Sequence, residues 1–155
     1  MPHILAICTA NICRSPVVEA VLRDRLHKQG LTDWTVSSAG TWAMAPREAS
    51  RHSAELMAEE GLDISDHRAQ MVDETHLANA DLVLCMETGH AEALKAEFPN
   101  YAHKIYLLSQ MVNHHYSIAD PYGGSIAGYR RMVQEVTRVI ENGMSRIIEL
   151  VETNN

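Results

Sequence analysis

Positive charge is in short supply in this chain, where 13 Lys and Arg stand against 20 Asp and Glu for a formal charge of −7. The two signs are interspersed, so no basic face is on offer to a phosphate backbone, and general nucleic-acid binding is excluded. Any anionic ligand has to be held by a local site. Cysteine is sparse as well. Three cysteines, an odd number without framework spacing, fit a reducing compartment better than a secreted disulfide scaffold. No apolar run approaches the roughly 18 residues of a membrane helix, and the opening MPHILAICTA turns polar too early for a signal peptide. The expectation is a cytoplasmic protein without membrane insertion. Repeats, linkers and low-complexity segments are also missing, and 155 residues at 46% apolar content suit one domain over 1–155 but not two.

What is present alternates in period. His3 to Cys8 is a short apolar run suited to a strand buried on both faces, and Val17, Val18, Val21, Leu22 and Leu26 then recur at helical spacing up to Gly30. Residues 34–38 (WTVSS) read as a strand, 49–60 as a helix stopped by Gly61, and 81–86 (DLVLCM) as the strongest strand. Residues 91–98 read as a helix stopped by Pro99, and 104–108 (KIYLL) as a fourth strand. From Ser125 onward apolar residues step by three or four into one long closing helix, with Gly143 as its expected weak point. This alternation predicts an α/β fold, a four-stranded parallel sheet flanked by helices on both faces.

Two segments carry chemistry. The first, CTANICRS at 8–15, falls between the first strand and the first helix, where α/β proteins bind anions. Ser15 is expected as the helix N-cap and Pro16 as its first residue. The amides of the loop then converge on one oxyanion. The dipole, the amides and the Arg14 guanidinium together favour thiolate over thiol at Cys8, making it a nucleophile. The planar fork of Arg14 matches two non-bridging phosphoryl oxygens. On residue type alone Cys8 could be a plain strand residue, or pair with Cys13 on zinc, but no further Cys or His pair has partner spacing. The second segment, DPYGGS at 120–125, is a loop by its turn residues. A cysteine phosphatase needs a carboxylic acid to protonate its leaving group, and Asp120 is the candidate, with Tyr122 as a pocket wall.

With CTANICRSP and Glu19 downstream, VSSAGT at 36–41, ISDHRA at 64–69, ADLVLCM at 80–86 and DPYGGS, the chain resembles the low-molecular-weight protein tyrosine phosphatases. The resemblance implies a phosphatase I-like three-layer sandwich and hydrolysis of phosphotyrosine through a phosphocysteine, with no metal and no cofactor. It makes Cys8 the nucleophile, Arg14 the phosphate clamp and Asp120 the general acid and base. Thr9, Ala10, Asn11, Ile12, Cys13 and Ser15 become the phosphate loop, with Trp42 and Tyr122 lining the substrate. Ser38 and His67, surface polar residues by type, become supports of that loop, and Cys13 a redox partner able to form a disulfide with Cys8. The implied partner is a phosphotyrosine protein, in bacteria a tyrosine kinase. Ala10 stands where the family pattern has glycine, so a positive φ there would cost on the order of 1 kcal/mol or more. His114 and His115 are expected as polar surface near the pocket mouth.

Three other functions share parts of this pattern. A protein-arginine phosphatase has the same loop and a DPFGGS stretch like DPYGGS, but carries threonine where Ile12 stands. A thioredoxin-coupled arsenate reductase would need relay cysteines, for which only Cys85 is available. A phosphate-binding module without turnover would need neither nucleophile nor acid.

Overall fold

The computed structural model describes residues 1–155. Strands β1 (His3–Cys8), β2 (Thr35–Gly40), β3 (Leu82–Cys85) and β4 (Ile105–Leu107) form one sheet in the order β2-β1-β3-β4, with every pair parallel. Helices α1 (Ser15–Lys28), α2 (Arg51–Glu59), α3 (Glu74–Asn79), α4 (Thr88–Glu97) and α5 (Ile126–Asn154) make the connections and the outer layers. The expected α/β sheet flanked by helices is therefore observed. β1 has the expected bounds, β2 is shifted by one or two residues and β3 and β4 are shorter by one at each end, while α3 has no counterpart in the sequence reading, because six residues are too few to show a helical period.

Alternation along each strand divides the core into two faces. Ile4, Ala6, Cys8, Leu82 and Leu84 join the larger cluster with Val17, Val21 and Leu22 of α1 and Val133, Val136 and Ile140 of α5. Leu5, Ile7, Val83 and Cys85 point the other way, onto Leu77 of α3 and Ala91 and Leu94 of α4. With both faces covered, β1 after His3 and the whole of β3 are apolar and buried, which is why they read as continuous runs.

Gly143 is not a weak point. The helix continues unbroken through it, and a Cβ there would stand 2.6 Å from Cβ of Met111, in the 3₁₀ turn Leu108–Val112 after β4. The glycine lets α5 lie directly on that turn. His114 also departs from expectation. It lines a separate cleft with Met111, Tyr116, Glu135 and Arg138, away from the loop after β1.

Candidate active site

Cys8 ends β1 in the middle of the sheet, and residues 9–14 cross its carboxyl edge before α1 begins. Gly40, paired with Cys8 in the β1–β2 register, is required by this crossing, because a Cβ would come 2.3 Å from the Thr9 carbonyl oxygen. The Thr41 amide donates to the Cys8 carbonyl at 3.0 Å and the Trp42 amide to that of Thr9 at 2.8 Å, fastening the loop to the end of β2.

The left-handed residue of the loop is Asn11, with φ of 59°, and not Ala10. Asparagine tolerates this region far better than most residues, so alanine at position 10 carries no such strain. Wholly buried, Asn11 uses its whole side-chain amide and its carbonyl. Its Nδ2 donates to Ser15 Oγ at 2.7 Å and to Ser38 Oγ at 2.9 Å, and its Oδ1 accepts from the Gln70 amide at 3.0 Å. Its carbonyl lies 2.6 Å from His67 Nε2. Ser38 in turn donates to Glu19 Oε1 at 2.7 Å. Ser15 thus accepts from Asn11, and its Oγ also lies 3.0 Å from Cys8 Sγ. Ser15 is accordingly not the N-cap. Arg14 occupies that position without a side-chain cap bond, and Ser15 is the first helical residue, its hydroxyl turned back to the sulfur.

Arg14 is 1% exposed. Nη1 lies 2.7 Å from Glu87 Oε2 and donates to the Ile118 carbonyl at 2.7 Å, while Nη2 reaches Thr9 Oγ1 at 3.4 Å and Asp120 Oδ2 at 3.5 Å. Its Nε–H is buried and has no protein partner. A buried cation with one unsatisfied donor is suited to an oxyanion. Asp120 sits in a turn, Oδ1 accepting from the Tyr122 amide at 3.0 Å, with its side chain 44% exposed.

These groups share a cavity of about 400 Å³. Cys8, Thr9, Ala10, Ile12, Cys13 and Arg14 line its base, and Asp120, Tyr122, Trp42, Ala43, Met44 and Arg47 its sides. Trp42 and Tyr122 stand 67% and 61% exposed at the rim. Asn11, Ser15, Ser38 and His67 lie behind the loop and do not line the cavity. Cys13 borders it, its sulfur 3.3 Å from the Tyr129 hydroxyl, and burial pushes its thiol up. Cys85 is fully buried in β3 and its thiol is pushed up to about 12, so it is a core residue rather than a redox relay.

The family model for low molecular weight phosphotyrosine protein phosphatase matches residues 3–153. The chain belongs to that family. A crystal structure of a low molecular weight protein tyrosine phosphatase from T. tengcongensis superposes with a TM-score of 0.89 at 35% identity, over 94% of this chain and 99% of that one. Among curated relatives, a probable low molecular weight protein-tyrosine-phosphatase, EpsP of Ralstonia nicotianae, is 33% identical over 93% of this chain and 94% of its own. A protein-arginine-phosphatase of Geobacillus stearothermophilus is 36% identical over 99% of both chains. This chain is thus a phosphatase of the low-molecular-weight class, with relatives of two named specificities.

Sequence reasoning did not find Glu87, His90 or Gln70. Glu87 and His90 follow the carboxyl end of β3, the region where parallel sheets assemble sites, and that position was their only signal. Gln70 had none, since its amide reaches Asn11 only through the return of the chain across fifty-nine residues.

Proposed function

We propose that this phosphatase hydrolyses phosphotyrosine in proteins, with residues 1–155 acting as one catalytic domain in the cytoplasm. The observation that carries the reading is that Cys8 and the buried, partly unpartnered Arg14 line one cavity whose rim is aromatic. The Cys8 thiolate attacks phosphorus, while Arg14 and the loop amides hold the non-bridging oxygens as charge redistributes. Asp120 gives its proton to the departing phenol oxygen, then takes one from the water that opens the phosphocysteine. Asn11, Ser15, Ser38 and His67 hold the loop in shape, and Ser15 supports the thiolate. Trp42 and Tyr122 sandwich the phenyl ring. None of these steps calls on a metal or cofactor. A phosphorylated bacterial tyrosine kinase is the kind of protein substrate that fits.

The alternative is phosphoarginine, favoured by the Geobacillus relative and by DPYGGS. Ile12 argues against it. Its side chain is buried and borders the cavity with apolar atoms alone, so guanidinium donors beside it would go unpaired at a cost of about 1–3 kcal/mol. Assays on phosphotyrosine, phosphoserine and phosphoarginine peptides are expected to rank phosphotyrosine first, and Ile12→Thr to shift the kcat/KM ratio toward phosphoarginine. A native preference for phosphoarginine would overturn the assignment.

Mild peroxide converts Cys8 to the sulfenic acid, which condenses with the Cys13 thiol to a disulfide and water. Both cysteines border the same cavity, which supports this pairing. Inactivation is expected to be reversed by dithiothreitol in the native protein and much less so in Cys13→Ser. Equal recovery of both would remove Cys13 from that role.

A further inference from the structure

His90 is 7% exposed, titratable, close to the phosphate loop and so far without a task. It occupies the third position of α4, where its Nδ1 accepts the Glu87 amide proton at 3.2 Å. An Nδ1 that accepts leaves the proton on Nε2, and Nε2 lies 2.8 Å from Thr9 Oγ1. The imidazole therefore donates to Thr9. Glu87 and Thr9 are the residues that meet Arg14 from two sides, Glu87 at Nη1 and Thr9 at Nη2. One ring thus holds two of the guanidinium's four partners, Thr9 by its hydroxyl and Glu87 by its backbone amide.

We propose that His90 is a positioning residue that sets the orientation of Arg14 toward the bound phosphoryl group through Thr9 and Glu87. This rests on the reading of Arg14 as the phosphate clamp. The arrangement needs the neutral ring, since a proton on Nδ1 would face the Glu87 N–H. The charged groups around the ring are Glu87 on its own helix, Arg14 in the loop after β1 and Asp120 in the loop before α5. Burial lowers the imidazole's proton affinity, against the pull of Glu87 and with the help of Arg14. The ring is therefore neutral at pH 7.

Asparagine and glutamine separate the two halves of the contact. In His90→Asn the amide oxygen replaces Nδ1 and keeps the helix start, but nothing reaches Thr9. In His90→Gln the amide nitrogen reaches the place of Nε2 and can still donate to Thr9. With p-nitrophenyl phosphate as substrate and vanadate as competitive inhibitor, His90→Asn is expected to lose about tenfold or more in kcat/KM and in vanadate affinity. His90→Gln should stay within about threefold of the native protein. Thr9→Val should match His90→Asn, and the double variant should be no worse than either, because both remove one contact. Thr9→Val also serves should His90→Asn not fold. Native kinetics in His90→Asn and Thr9→Val, or equal losses in the Asn and Gln variants accompanied by a lowered Tm, would overturn the proposal. If Arg14→Ala itself left vanadate affinity unchanged, the clamp reading would be what had failed.

Discussion

At the scale of single residues, the site is a set of proton assignments imposed by burial. Asn11 has two amide protons and spends both on hydroxyls, that of Ser15, which lies beside the Cys8 sulfur, and that of Ser38, which donates to Glu19. The chain of donors and acceptors is continuous, and removing any member strands a buried polar group. Asp120 differs, since it is exposed and held by a turn, 3.5 Å from Nη2 of Arg14. In the proposed mechanism a phosphoryl group on Arg14 takes over that nitrogen and leaves the carboxyl to the bridging oxygen. Asp120→Asn is therefore expected to lose roughly 10²-fold or more in kcat on a phosphotyrosine peptide and far less on aryl phosphates with strongly acidic phenols. A plot of log kcat against leaving-group pKa should steepen in the variant. An unchanged slope would give Asp120 another task.

At the scale of elements, close approach explains what propensity misreads. Glycine inside a helix costs up to about 1 kcal/mol relative to alanine, so Gly143→Ala would be stabilising if α5 stood alone. Packed on Met111, the new methyl group would meet Cβ at 2.6 Å and the carbonyl oxygen at 3.0 Å. Overpacking of this kind costs about 1–3 kcal/mol and outweighs the propensity gain. Thermal unfolding should show a lower Tm for Gly143→Ala, and a raised Tm would mean that α5 can slide off the turn. The same logic at Gly40 ties β2 to the phosphate loop.

For the whole molecule, one buried and one half-buried histidine make stability depend on pH in the mildly acidic range. His3 is lowered by burial against the attraction of Asp81 and Glu19, and His90 by burial against Glu87. In the unfolded chain each takes its proton near the ordinary value of about 6.5, before the folded chain does. The unfolded state then binds more protons, so stability falls as pH drops through about 6.5 and stops falling on their account below the folded values. Tm should decline between pH 7.5 and pH 5.5, and His90→Gln should decline less. Identical slopes would show that His90 does not contribute.

Much of this was legible in the sequence because the signals are local. A strand buried on both faces must be a continuous apolar run, so β1 and β3 declared the parallel sheet, and the strand, loop and helix around Cys8 and Arg14 followed from a few neighbouring residues. Asp120 was legible through its turn and the resemblance. What only the tertiary structure decided is non-local. The positive φ fell on Asn11 rather than Ala10 because Ser38, His67 and Gln70, distant in sequence, supply its partners. Gly143 became a contact, and Glu87 came to Arg14 and His90 to Thr9 across the edge of the sheet. A hydrogen bond between residues seventy or more positions apart leaves no period or spacing in the chain, and packing alone brings its two ends together.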